Sequence, residues 1–171
     1  MKIVWRIKVE IIVNESSQLN TIDNLLNFNF QGFELRSWNE SNSISELTNL
    51  VRTAYKSLLE KGFRYWGTFQ SEEDTLKRIS DRSCYVLWNG TSMVGTVTLA
   101  EVHHGPEYCA WYNKPEVCFF TQFAIDPKHQ GSGLGSKLMT FIEDEARRRG
   151  FKEIALDTAE NAHSLINYYM R

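Results

Sequence analysis

The chemistry-bearing stretch of this chain is DPKHQGSGLGSKL, Asp126 to Leu138, which places three glycines within five residues. An apolar run precedes it and an amphipathic run follows, so it sits where a strand hands over to a helix. The first amides of a helix have no intrahelical acceptor, and the helix dipole adds partial positive charge there. With Gly131, Gly133 and Gly135 removing β-carbons, a diphosphate could approach those amides closely. Gln130 and Ser132 could add donors. The alternative is a glycine-rich turn that holds nothing.

Two common phosphate loops fit poorly. A dinucleotide turn needs GxGxxG after an early strand, whereas residue 136 is Ser and the turn lies late in the chain. A nucleoside-triphosphate loop needs GxxxxGK[ST], and Lys137 follows Ser136 rather than Gly. Other reactive groups are sparse. His103 and His104 are adjacent in a loop, which is the ordinary pattern of solvent-exposed histidines, and no third ligand is spaced to complete a metal site with them. Cys84, Cys109 and Cys118 form no CxxC pair and read as free thiols of a reducing, cytoplasmic setting.

The elements that would position this loop follow from periodicity. Ile3 to Val13 alternates apolar and polar residues and predicts a half-buried strand. Residues 14–31, rich in Asn and Ser, read as a linker, and Gly32 to Trp38 as a short strand. Ser43 to Lys61 predicts a helix opened by a capping box, with Ser43 taking an amide and Glu46 reaching back. Ser71 to Ile79 predicts a shorter helix capped by Ser71. Cys84 to Trp88 and Met93 to Ala100 form a hairpin around Asn89-Gly90. After a loop over 101–115, Glu116 to Asp126 is an apolar strand stopped by Pro127. Leu134 to Arg149 predicts a helix with Leu134, Leu138, Phe141, Ile142 and Ala146 as its buried stripe. Glu143, Asp144 and Glu145 precede Arg147, Arg148 and Arg149 by four, the favoured order for paired charges. Lys152 to Asp157 is a further strand, and a last helix starts at Glu160. The order predicts an α/β (mixed α+β) sheet flanked by helices.

Composition bounds the function. The 171 residues carry a net charge of −2 and 42% hydrophobic side chains, enough for one globular domain. There is no basic excess for nucleic acid and no apolar run of membrane-spanning length.

Gln130-x-x-Gly133-x-Gly135 resembles the acyl-CoA loop of the GNAT superfamily of N-acetyltransferases, Q/R-x-x-G-x-G/A. The resemblance runs from about residue 33 to 171, through the YVLWNGTSMVGTVTL hairpin, the TQFAIDP strand and the ALDTAENAHSLINYYMR segment, leaving 1–32 as an extension. It implies the GNAT acyl-CoA N-acyltransferase fold and acetyl-CoA as acyl donor. It implies that the amides of Gly131, Ser132, Gly133, Leu134, Gly135 and Ser136, with Gln130, hold the pyrophosphate. The backbone of Phe123, Ala124 and Ile125 would pair with the pantetheine arm, in a slot where the central strand splays from its neighbour. Asn161 matches a position that often touches the pantetheine, with a plain helix cap as the alternative role. Tyr169 matches the proton donor to the departing thiolate, Arg171 the following basic position, and Tyr168 is its neighbour around the helix.

By the same resemblance the reaction is acetyl transfer to a primary amine of a small molecule or peptide, by direct attack in a ternary complex. A base or water chain must first take the amine's proton. Relatives often carry Glu on the central strand, where this chain has Thr121 and Gln122; Glu116 lies at the strand's start. Tyr65, Trp66, Trp111 and Tyr112 fall in segments that flank the acceptor. The family usually continues past the last helix with two more strands, so the resemblance implies a C-terminally shortened domain. Ile3 to Val13 is then expected to cover the bared sheet, and a homodimer is a further option. The competing functions are an acyl-CoA-binding sensor and an inactive remnant.

Overall fold

The structure is a computed structural model that describes residues 3–10, 28, 30, 32–101 and 110–170. Six strands form one sheet: β1 (Ile3–Glu10), β2 (Glu34–Ser37), β3 (Ser83–Asn89), β4 (Ser92–Ala100), β5 (Val117–Ile125) and β6 (Glu153–Ala159). Their spatial order is β1-β6-β5-β4-β3-β2. Every neighbouring pair is antiparallel except β5 and β6, which run parallel. Four α-helices accompany it: α1 (Ile44–Glu60), α2 (Glu72–Ile79), α3 (Leu134–Arg148) and α4 (His163–Tyr169). This is the expected α/β arrangement. The linker over 14–27, His103, His104, Cys109 and Arg171 lie outside the described residues.

Strand β3 shows why helices cover both faces. Along β3, Tyr85 and Leu87 join Leu134, Leu138, Phe141 and Ile142 of α3 in one core. Cys84, Val86 and Trp88 point the other way, onto Leu47 and Leu50 of α1 and Ile79 of α2. Period two on a strand therefore feeds two apolar layers at once, as a sheet buried on both sides requires. The stripe expected on α3 is buried throughout.

Two local expectations are corrected, and a third gains a partner. Ser43 does accept the amide of Glu46, but the Glu46 carboxylate accepts from the Met93 amide at 2.9 Å, tying α1 to the hairpin. The complete capping box belongs to α2, between Ser71 and Asp74. The charge ladder of α3 forms the expected Glu145–Arg149 pair, at 2.8 Å, and places its carboxylate in the core. Glu145 is fully buried, and accepts from Arg148, Arg149 and the Tyr85 hydroxyl at 2.7–2.9 Å. Arg147 also pairs with Asp144. Finally, the last helix starts at His163, not Glu160, after a turn at 160–161.

β1 lies antiparallel along β6, from Ile3 opposite Ala159 to Glu10 opposite Glu153. The edge of β6 that faces away from β5 is thus paired by the chain's own first strand.

Candidate active site

The site is organised by one irregularity in β5. Thr121 pairs with Thr98 and Ala124 with Thr96, so Gln122 and Phe123 together face Val97. This is a β-bulge, which bends the strand that carries it. Gln122 adopts φ +52°, a left-handed conformation that a side chain adopts only at a cost. A buried polar chain holds it there. Gln70 donates to the Gln122 side-chain oxygen and to Thr75 Oγ1, both at 2.8 Å, and Thr48 donates to Thr75 at 2.7 Å. The helices α1 and α2 are thereby fastened to the bulge.

Below the bulge β5 and β6 are zipped, with Val117, Cys118 and Phe119 opposite Glu153, Ile154 and Ala155. They separate from Phe120, two residues before the bulge, and Phe120–Ile125 has no partner on β6. The mouth between them leads to a cavity of about 470 Å³. Gln122, Phe123, Asp157, Thr158 and Tyr169 all line it. Such a slot presents strand-edge backbone to an extended, amide-bearing chain.

The glycine loop lies at the far end of β5. Asp126 caps a 3-10 turn at Pro127–His129 by accepting from the Lys128 amide at 2.8 Å. Gly131 and Gly133 then take φ +78° and +89°, a region where a β-carbon would strain the chain. Gly133 is the N-cap of α3 and supplies no side-chain cap, and the first intrahelical bond runs from the Lys137 amide to the Gly133 carbonyl at 3.1 Å. The amides of Leu134, Gly135 and Ser136 therefore have no intrahelical acceptor. Gln130 donates its side-chain amide to the Ile125 carbonyl at 3.0 Å, and Ser132 donates to the His129 carbonyl at 2.6 Å. Those two side chains shape the loop by bonding within it. Gly135 is needed for a different reason, because a β-carbon there would lie 2.9 Å from the Tyr168 hydroxyl.

α4 brings two tyrosines to this region with different surroundings. Tyr168 lies over Gly135, whereas Tyr169 lines the cavity. The Tyr169 ring packs on Phe120 and Phe123, with centroids 5.9 and 6.3 Å away. Burial, reinforced by Tyr55, Tyr168 and Tyr65, raises its hydroxyl well above the ordinary tyrosine range. Tyr55, also on the cavity, is pushed up to about 12, chiefly by burial. Both are neutral proton carriers near pH 7. Asn161 is exposed in the turn before α4 and is not its cap, which is Ala162.

Of the four aromatics expected beside an acceptor, Tyr65, Trp66 and Tyr112 line the cavity. Tyr65 also bonds Thr158 Oγ1 at 2.7 Å and accepts from the Ala159 amide at 3.0 Å, fixing the wall to β6. Trp111 is not among the lining residues and donates to Glu153 at 2.8 Å. Sequence reasoning missed Gln70, Arg78, Arg82 and Asp157, all of them lining residues. Arg78 and Arg82 look like the solvated end of a helix, and Asp157 like the polar end of a strand. Among the described residues no cluster of three His, Cys, Asp or Glu side chains could hold a metal, and no helix is long and apolar enough to cross a membrane.

Comparison with known proteins agrees with this geometry. Residues 45–171 match the Acetyltransferase (GNAT) family. The chain is 28% identical over 131 residues to an S-(2-succino)cysteine N-acetyltransferase of Bacillus subtilis, covering 74% of each. It is 26% identical over 118 residues to an S-alkylcysteine N-acetyltransferase of the same organism, covering 69% of this chain and 64% of the other. Its fold is similar to the crystal structure of a GNAT family acetyltransferase from Elizabethkingia anophelis with acetyl-CoA bound. That match has TM-score 0.59 and 14% identity, covering 82% of this chain and 74% of that one. The bulged and splayed strand, the glycine loop and these matches together make the chain a member of the GNAT acetyltransferase family, and an acetyltransferase enzyme.

Proposed function

We propose that this chain transfers the acetyl group of acetyl-CoA to the primary amine of a small molecule, by direct attack within a ternary complex. The observation that carries this is the bulge at Gln122–Phe123. It lies where β5 parts from β6 beside the cavity holding Tyr169, on the strand that runs on toward the glycine loop. When bound, acetyl-CoA supplies the activated acetyl thioester. The amides from Gly131 to Ser136 would take its pyrophosphate. The edge of Phe123–Ile125 would pair with its pantetheine arm, with Asn161 at the entrance. The similarity to two enzymes named for S-substituted cysteines supports a small-molecule acceptor.

The residues divide the proton work. The acceptor amine must lose a proton to attack. Asp157 is the one carboxylate among the residues lining the cavity, and its exposed position lets it pass a proton to solvent through water. The Tyr112 hydroxyl donates to Asp157 at 3.0 Å and fixes its orientation. The developing oxyanion would meet a strand amide at the bulge, aided by the buried Gln122 Nε2, which has no acceptor among the described residues. Tyr169, protonated at neutral pH, would donate to the departing thiolate. The test is acetyl-CoA turnover with a panel of small primary amines, reading thiol release and the N-acetyl product by mass. Thiol release without an acetylated amine, or none with any amine, would defeat this reading.

A further inference from the structure

Two arginines on the cavity wall have no part in the chemistry above. Arg78 lies in the last turn of α2 and Arg82 in the turn entering β3; both line the cavity that holds Tyr169 and the bulge. Each is part-buried. Each has a buried Nε–H with no acceptor among the described residues. The arginine ion pairs formed among those residues use Arg36, Arg147, Arg148 and Arg149 instead. Arg82 donates to the Arg78 carbonyl at 3.3 Å, and its guanidinium carbon sits 6.0 Å from the Phe119 ring centroid. Burial first, and then the like charge of Arg78, hold the Arg82 guanidinium below its ordinary range. The one carboxylate on the lining, Asp157, is engaged by Tyr112.

Two part-buried cations side by side are unfavourable unless an anion joins them. The planar guanidinium fork matches a carboxylate in two-bond geometry. The remaining walls include Tyr55, Tyr65, Phe119, Phe120 and Tyr169, which suit an apolar or aromatic side chain. The volume, about 470 Å³, is in the range of small-ligand sites. Resting on the acetyl-transfer reading, we propose that the acceptor is an α-amino acid with a free carboxylate and an apolar side chain. Arg78 and Arg82 grip the carboxylate, the aromatic walls hold the side chain, and the α-amine is left facing the thioester. The amine nitrogen then forms the new bond to the acetyl carbon, the carbon–sulfur bond breaks, and the amine's proton leaves through water.

The test uses a matched pair, S-benzyl-L-cysteine and its carboxamide, which differ in the charge at the carboxyl group. The amide's amine is the less basic of the two, so a preference for the acid cannot come from a larger neutral-amine fraction. Binding of each to the full chain is measured by calorimetry with CoA present, and turnover with acetyl-CoA by thiol release. The acid is expected to be preferred on the order of a hundredfold, the size of charge-assisted hydrogen bonds. Arg78→Gln and Arg82→Gln should each bring that ratio down to about tenfold or less, and Arg82→Lys should fall between, keeping charge but losing the fork. Thermal melting of each variant verifies folding. Equal binding of acid and amide, or a ratio unmoved in both Gln variants, overturns the clamp. Acetylation of both at equal rates sinks the clamp and leaves acetyl transfer standing. Acid-selective binding without transfer to either compound does the reverse.

Discussion

Removing the Tyr169 hydroxyl tests the proposed exit of the thiolate directly. Tyr169→Phe keeps the ring, and with it the packing on Phe120 and Phe123. Melting should therefore change little, because the residue lines the cavity and its ring packing is kept. The chemical effect is larger. A thiol has an ordinary pKa of about 8.5, so a neutral hydroxyl beside it can hydrogen-bond the leaving thiolate or protonate it. A hydrogen bond to a charged group is worth about 1.5–3 kcal/mol, and a positioned general acid about 10²–10⁴ in rate. The expected loss is thus about a hundredfold in kcat, with KM for acetyl-CoA changed less than about threefold. The pH profile adds an independent sign. Because the Tyr169 pKa lies well above the ordinary 10, the acid form persists through pH 9, and wild-type kcat should show no fall there from this group. The assay is steady-state thiol release from pH 6 to 9 for wild type, Tyr169→Phe and Tyr168→Phe. The reasoning fails if Tyr169→Phe keeps kcat within about threefold of wild type, or if Tyr168→Phe carries the larger loss.

Three further outcomes follow from the same structure. Gly131→Ala and Gly133→Ala each force a side chain into positive φ, at about 1–2 kcal/mol, and should raise the acetyl-CoA KM more than they alter kcat; calorimetric melting and saturation kinetics check this. Burial alone would raise the Glu145 carboxyl, but hydrogen bonds from Arg148, Arg149 and Tyr85 outweigh it and lower it from 4.5 to about 2. Stability from this depressed group is complete above pH 4.5 and is lost as pH falls toward 2; it amounts to about 3 kcal/mol, so denaturant unfolding of Glu145→Gln should show a lower plateau and a flatter acid limb. Deleting residues 1–10 removes the strand paired along β6, so the melting temperature should drop and light scattering should rise; an unchanged melt would refute a structural role for that strand.

Local chemistry carried a large share of this protein. The alternation in β3, the Asn89-Gly90 hairpin, the α3 stripe and the Asp126 to Gly135 stretch are short-range patterns, each fixed by steric or hydrogen-bonding needs within a few residues. The positive φ values of Gly131 and Gly133 are of that kind, which is why the loop could be read from glycine spacing alone. Other features depend on partners distant along the chain. Glu46 satisfied the spacing of a capping box, yet its carboxylate bonds Met93 across 47 positions, because a buried strand amide is the costlier group to leave unpaired. Glu145 fitted a ladder of paired charges, and only packing of α3 over Tyr85 made it a buried anion with three donors.

The cavity shows the division most clearly. Gln122 carries no mark in the sequence of a bulge or of positive φ; its conformation is stabilised by Gln70, which is 52 positions away. Arg78 and Arg82, Asp157, and Tyr169 come from three separate segments, and their convergence on one cavity follows from the strand order and the splay of β5 from β6. The sequence by itself determined the elements and the glycine loop, since those rest on local backbone geometry. Which side chains share the cavity, and with what charge, was decided only by tertiary structure, because burial and long-range pairing set both.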